Sequence, residues 1–398
     1  MTAKGGCQPV PQEQFGRGSG LALVEQLYEN RRQRADELRA AGRKVVGYFC
    51  CYPPVEMLTA LDLVPYRIQG NVERPVSEAD ALLETVSCSF MRSCFDLALG
   101  GYYDFLDGLI VPHTCDTVQR IYDIWRRYRK PRLAHFLNVP HMAQPSSYVF
   151  FKHELLRLRE ALEELAGKKL ETEALRAAIA LHNENRGLLR QLYDLRKQQA
   201  PPIAGSEVLK LIVAGMGLPV AEYNDLVRAV TAEVAARPAR PADSRPRVML
   251  FGSELDDAGF LRLLEQAGGD VVVDDICTGT RSFWPDVPLT DDPLDGLASR
   301  YLGGINCPRT YRPQVLPRAA DLDNRFAYLG NFVRDFGVDG VVFYIIRFCD
   351  THELDAPDVT EYLAARNVPV LHLEEEYRTA NVGQIKTRAE AFLETLGG

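Results

Sequence analysis

Short apolar runs alternate with longer amphipathic ones over residues 44–139. The runs at 44–51, 63–68, 108–111 and 132–139 have strand length and are bounded by Gly, Pro or charged residues. Between them, 55–61, 90–99 and 118–128 carry apolar residues at helical spacing. Pro53 and Pro54 stop the first strand and suit the opening of the helix behind them. Strand followed by helix, repeated, predicts a parallel sheet with crossover helices. Upstream, residues 25–41 read as one charged helix, while residues 1–20, rich in Gly and Gln, predict no element.

The period then changes. Leu155, Leu156, Leu158, Leu162 and Leu165, followed by Leu175, Ile179, Leu188, Leu189 and Leu192, recur at helical spacing, so 148–236 predicts a helical insert. Arg237-Pro238-Ala239-Arg240-Pro241 reads as a stiff linker. Beyond it the alternation returns, with strands expected at 247–252, 270–276, 339–348 and 368–373. Helices are expected at 258–266, 321–336, 358–366 and 387–396. The expected class is α/β: two Rossmann- or flavodoxin-like parallel-sheet lobes with a helical middle segment. The boundaries anticipated are tail and helix 1–43, first lobe 44–147, helical segment and linker 148–240, and second lobe 241–398.

Composition narrows the function more than the fold. The 398 residues are 46% apolar and 25% charged, which excludes global disorder. A net charge of −8 argues against a nucleic-acid partner. No apolar stretch reaches bilayer length, and residues 1–20 lack the apolar core of a signal peptide, so a cytoplasmic protein without membrane attachment is expected. Nine cysteines in that compartment are unlike a disulfide framework. No CxxC pair is present, nor GxGxxG, Walker, GxSxG or HExxH. Any metal or cluster site must therefore draw thiols from distant parts of the chain.

Two of those thiols stand in matched surroundings. The tripeptide Cys-Asp-Thr follows an apolar run opened by Asp-Gly twice, at Cys115-Asp116-Thr117 and at Cys349-Asp350-Thr351. Ligands bind at the carboxyl ends of strands in open α/β sheets, and a thiolate is favoured at a helix N-terminus. Cys88, in Val86-Ser87-Cys88-Ser89-Phe90-Met91-Arg92-Ser93-Cys94, opens a helix with Arg92 one turn on. Any one free cysteine is as often a small buried hydrophobe as a ligand. The matched pair shifts the balance toward a site. Cys50 and Cys51 end a strand and could join it. Cys277 reads as a core or strand-end residue, Cys307 as exposed in a turn, and Cys7 as irrelevant. His113 could donate to a nearby sulfur or simply be satisfied within the fold, and Glu374-Glu375-Glu376 reads as a solvated strand end.

Five stretches carry a resemblance. They are Gly47-Tyr48-Phe49-Cys50-Cys51-Tyr52-Pro53-Pro54-Val55-Glu56, Cys88-Ser89-Phe90-Met91-Arg92-Ser93, and Leu106-Asp107-Gly108 through Cys115-Asp116 with Tyr122-Asp123-Ile124-Trp125. Phe348-Cys349-Asp350 and Gly383-Gln384-Ile385-Lys386-Thr387-Arg388-Ala389-Glu390-Ala391-Phe392-Leu393-Glu394 complete the set. Together they resemble the 2-hydroxyacyl-CoA dehydratase and benzoyl-CoA reductase cluster-subunit family, including the 2-hydroxyglutaryl-CoA dehydratase D-component, over nearly the whole chain.

The resemblance implies a [4Fe–4S] cluster held by three cysteines, which fall on Cys88, Cys115 and Cys349. It implies a paralogous subunit in a heterodimer, or else a homodimer, with an acyl-CoA substrate. It also implies an ATP-dependent activator protein that delivers low-potential electrons. Cys50, Cys51, Cys94 and Cys307 leave room for a second cubane, as in the family's double-cubane proteins. Dehydratase-like members often carry a hydroxyl residue after the early cysteine, where this chain has Cys51. That departure, with Arg far outnumbering Lys, leans toward a benzoyl-CoA reductase-type oxidoreductase subunit. An (R)-2-hydroxyacyl-CoA dehydratase (a lyase), a double-cubane reductase of small molecules and a scaffold or maturation partner are the alternatives. No residue is assigned as the catalytic acid or base.

Overall fold

Each anticipated apolar run folds as a strand, and every strand pairing is parallel. The computed structural model describes residues 20–238, 240 and 245–397. In the first lobe β1 (Val45–Tyr48), β2 (Val64–Arg67), β3 (Gly108–Pro112) and β4 (Leu133–Leu137) form a sheet in the order β2-β1-β3-β4. In the second, β5 (Arg247–Gly252), β6 (Asp270–Asp275), β7 (Gly340–Ile346) and β8 (Val370–Glu375) take the order β6-β5-β7-β8. The two sheets have the same topology, so β3 and β7 are equivalent strands.

Both strands are buried along their whole length, as apolar runs covered by crossover helices on both faces should be. Helix Asp116–Arg129 shows how one such face is built. Val118, Ile121 and Trp125, spaced i, i+3, i+7, are its buried residues. Trp125 meets Phe49 edge to face at 5.9 Å, a contact worth about 1 kcal/mol beyond area burial. In each sheet the strand order reverses beside the first strand, between β1 and β3 and between β5 and β7. The crevice at the carboxyl ends there is the place such folds offer a ligand.

The insert between the sheets is helical, at Pro145–Ala166, Thr172–Asp194, Gly205–Gly215 and Val220–Ala235. Other boundaries differ from the sequence reading for physical reasons. The helix expected over 25–41 is two, Gly20–Glu29 and Gln33–Ala40. Between them Arg31 turns inward to pair with the fully buried Asp256 at 3.0 Å, a tertiary contact that overrides helix propensity. Residues 1–19, and Cys7 with them, lie outside the described residues, as do Ala239 and Pro241 of the linker.

The helix expected to begin after Pro357 begins at Asp350 and runs through that proline. Its first turn is secured by Glu353, whose carboxylate accepts the Phe348 amide at 2.9 Å. Residues 277–317, where the sequence predicts no element, form the short helices Thr280–Phe283 and Pro293–Ala298 and a π-helical turn at Ser299–Gly304. That segment packs back on the first lobe. Tyr301 donates to Glu56 at 2.8 Å, Tyr52 bonds Thr310 at 2.9 Å, and Arg309 donates to the Val139 carbonyl at 2.9 Å.

Candidate functional site

Cys88, Cys115 and Cys349 each occupy the cap position immediately before a helix: Ser89–Leu99, Asp116–Arg129 and Asp350–Ala364 respectively. Cys115 and Cys349 follow the equivalent strands β3 and β7, so the repeated Cys-Asp-Thr marks one topological position in two lobes. Cys50 and Cys51 leave the end of β1, the strand beside β3. Cys50 and Phe348, the residue before Cys349, both sit in the left-handed region at φ 58° and 65°. Non-glycine residues adopt it at a cost of roughly 1–2 kcal/mol. Two lobes thus bend their chain sharply at the point where each presents a thiol.

The three thiols are close enough to act on one another. Burial pushes Cys88 up to about 12, with Cys349 adding to the rise and the Met91 and Phe90 amides opposing it. Burial likewise raises Cys115, opposed by the Val118 amide and reinforced by Cys50, Cys88 and Cys349. Cys349 is raised by burial against Ser253, Thr351 and the His352 amide. Each sulfur therefore stands at the start of a helix, whose amide end favours a thiolate, in surroundings that raise the thiol when no cation is near.

These residues fit an iron–sulfur cluster. The eight described cysteines are all free thiols. Among the described residues no three His, Cys, Asp or Glu side chains converge tightly enough for a single metal ion. Thiolates serving a four-iron cluster each bind a different iron, so they surround a volume instead of a point. Iron would supply the positive charge that turns these high thiols into thiolates.

The other cysteines separate into two environments. Cys94 is fully buried in the first lobe's core, on the helix that Cys88 caps. Cys51, Cys277 and Cys307 lie near one another: burial raises Cys51, with Cys307 and Cys50 adding to it. Cys277 is raised by burial, with Glu254, Cys307 and Cys51 contributing, while Arg281 opposes. Cys277 thus faces other thiols, and Cys307 is half-buried by the returning 277–317 segment. Cys50 stands between the groups, its sulfur 3.3 Å from Thr114. His113 is bonded to Asn138 at 3.1 Å and packs on Phe136. Glu374 and Glu376 pair with Arg347, and Glu376 also with Arg92 at 3.4 Å.

Five charged or titratable residues that the sequence does not single out surround the thiols. Arg67 pairs with the buried Glu254 at 2.6 Å and donates to the Cys50 carbonyl. Arg281, fully buried, pairs with Asp275 at 3.0 Å and donates to Cys277 Sγ at 3.3 Å. His352 Nδ1 lies 3.3 Å from Cys349 Sγ. None belongs to a periodic pattern, and only the end of an apolar run marks Arg67.

A cavity of about 100 Å³ opens beside Cys50 and Cys51, between the first lobe, the helical insert and the Thr280–Phe283 turn. Three buried polar atoms on its lining residues have no hydrogen-bond partner: Arg67 Nε, Asn185 Nδ2 and Tyr223 Oη. Three of the twelve such orphans among the described residues thus belong to the lining of this recess next to thiols.

Residues 50–396 match the family described as 2-hydroxyglutaryl-CoA dehydratase, D-component. The chain is 30% identical to the YjiM protein of Escherichia coli (strain K12), named as a dehydratase subunit, over 90% of this chain and 93% of that one. It is 27% identical to a benzoyl-CoA reductase subunit of Thauera aromatica, over 94% and 97% of the two chains. To the beta subunit of (R)-2-hydroxyglutaryl-CoA dehydratase from Acidaminococcus fermentans the identity is 26%, over 90% and 94%. With paired parallel-sheet lobes, strand-end thiols and a match spanning nearly its whole length, this chain belongs to the 2-hydroxyglutaryl-CoA dehydratase D-component family.

Proposed function

We propose that this chain is the iron–sulfur subunit of an ATP-activated, low-potential acyl-CoA enzyme, with Cys88, Cys115 and Cys349 holding a [4Fe–4S] cluster. One observation carries the reading: three mutually close thiols each cap a helix, two of them at equivalent strand ends. When bound by three thiolates, such a cluster supplies one-electron transfer and an iron with an open position. The chain's own part is to hold each sulfur at the start of a helix, where the helix dipole favours a thiolate. The recess beside Cys50 and Cys51 is the cavity that those two thiols line. The favoured reaction is benzoyl-CoA reductase-type reduction, with (R)-2-hydroxyacyl-CoA dehydration as the alternative. Either reaction needs a related second subunit and an ATP-hydrolysing activator, because one-electron reduction of a thioester or aromatic ring is strongly uphill. A need for ATP and a low-potential donor supports a cytoplasmic setting. No described helix is long and apolar enough to cross a membrane.

Iron and sulfide quantitation on anaerobically purified chain tests this. About four of each per chain is expected for one cubane, and less than one iron per chain overturns the proposal. The grouping of Cys51, Cys277 and Cys307 favours a second reading in which a further cubane sits beside the first. About eight irons, with reduction of small molecules lacking CoA, would select that reading.

A further inference from the structure

His352 has its two ring nitrogens committed to different neighbours. Nε2 lies 3.2 Å from Arg281 Nη1, and Nδ1 lies 3.3 Å from Cys349 Sγ. A guanidinium has donors only, so in the tautomer that uses this contact Nε2 accepts from Arg281. The proton of a neutral imidazole then sits on Nδ1 and points at the Cys349 sulfur. Arg281 cannot swing away from this role. Its other nitrogen pairs with Asp275 Oδ2 at 3.0 Å and the Asp275 carbonyl at 2.8 Å, and Tyr328 in turn holds Asp275 at 3.0 Å. The Gly252 carbonyl, against which His352 also lies, accepts from the same Arg281 nitrogen that faces the imidazole, at 3.1 Å. His352 itself is buried in the third position of its helix, where its backbone amide donates to the Cys349 carbonyl at 2.9 Å.

We propose that His352 is a positioning residue that sets the reduction potential at Cys349, by donating a hydrogen bond from Nδ1 to the Cys349 sulfur under the orientation imposed by Arg281. The inference rests on the cluster reading of Cys349. Adding an electron increases the negative charge carried by the ligating sulfurs, so a donor aimed at one of them stabilises the reduced form. Arg281 Nη1 also lies 3.3 Å from Cys277 Sγ, so its two hydrogens are shared among that sulfur, the Gly252 carbonyl and the imidazole, and the same guanidinium stands between the two groups of thiols.

Potentiometric titration followed by electron paramagnetic resonance, on anaerobic protein with its iron content measured first, tests this. His352→Leu removes the donor and should keep the iron while lowering the reduced-to-oxidised ratio at a fixed potential. The expected drop is about tenfold, the weight of one charge-assisted hydrogen bond, or about 59 mV for a one-electron couple. His352→Asn places an amide N–H near the position of Nδ1 and should restore the native potential. His352→Gln places its amide near Nε2 and should behave as the leucine variant. An iron-loaded leucine variant at the native potential overturns the inference. Should the leucine variant fail to fold, equal potentials for the asparagine and glutamine variants overturn it as well. Wild-type protein without iron defeats the cluster reading, a different result.

Discussion

At the scale of single residues, position relative to a helix start separates the cysteines better than burial does. Cys88 and Cys94 are both buried and share a helix, yet only Cys88 caps it. Cys115→Ala should abolish the visible absorbance of reconstituted protein, whereas Cys94→Ala should keep it, because Cys94 is packed in the core. Cys277→Ala distinguishes the two readings of the site. Iron content should stay near four per chain with one cubane and fall from about eight toward four with two. In sequence Cys277 reads as a strand-end residue, which it also is. Nothing in its neighbours announces that a segment some thirty residues on brings Cys307 to it, since that return depends on contacts of Tyr301, Thr310 and Arg309 with a lobe far back in the chain.

At the scale of elements, close approach and buried charge set the tolerances. Gly252 ends β5 at φ 143°, where an added Cβ would lie 1.8 Å from the Tyr344 carbonyl oxygen of the neighbouring β7. Gly252→Ala should destabilise the metal-free chain by about 3 kcal/mol or more, read as a lower midpoint in urea. Glu56, on helix Val55–Ala60, joins the insert and the π-helical turn through Arg186 and Tyr301. Burial alone would raise its carboxyl, but Arg186, His182 and Arg300 outweigh burial and hold it at about 2. The depressed value means its stabilisation is complete above the ordinary carboxyl range and is lost as pH falls toward about 2. That loss should be on the order of 3 kcal/mol for metal-free protein between pH 6 and pH 2, and Arg186→Met should remove most of this pH dependence. Urea unfolding of both proteins across that range would show no difference in slope against pH if the pair were unimportant.

At the scale of the molecule, the two lobes are joined by ion pairs. Arg67–Glu254 and Arg31–Asp256 cross from the first lobe or its leading helices to the end of β5, close to the candidate centre. A ligand binding only the folded, assembled lobes stabilises that state. Iron-loaded protein should therefore unfold at a higher temperature than metal-free protein, by several degrees in anaerobic scanning calorimetry, and Cys88→Ser should erase the difference. The apolar periodicity by itself determined the eight parallel strands, the helical insert and the two-lobed plan, because strand and helix periods are local properties of the chain. The ends of apolar runs also pointed to Cys115 and Cys349 as a matched pair, while the set of three with Cys88 came from the family resemblance. The tertiary structure alone decided that Arg31 breaks a helix to reach Asp256, that the 277–317 segment returns to the first lobe, and that Arg281 meets His352 behind the thiols. Those facts depend on contacts between residues tens to hundreds of positions apart, and such pairings leave no period for a sequence to show.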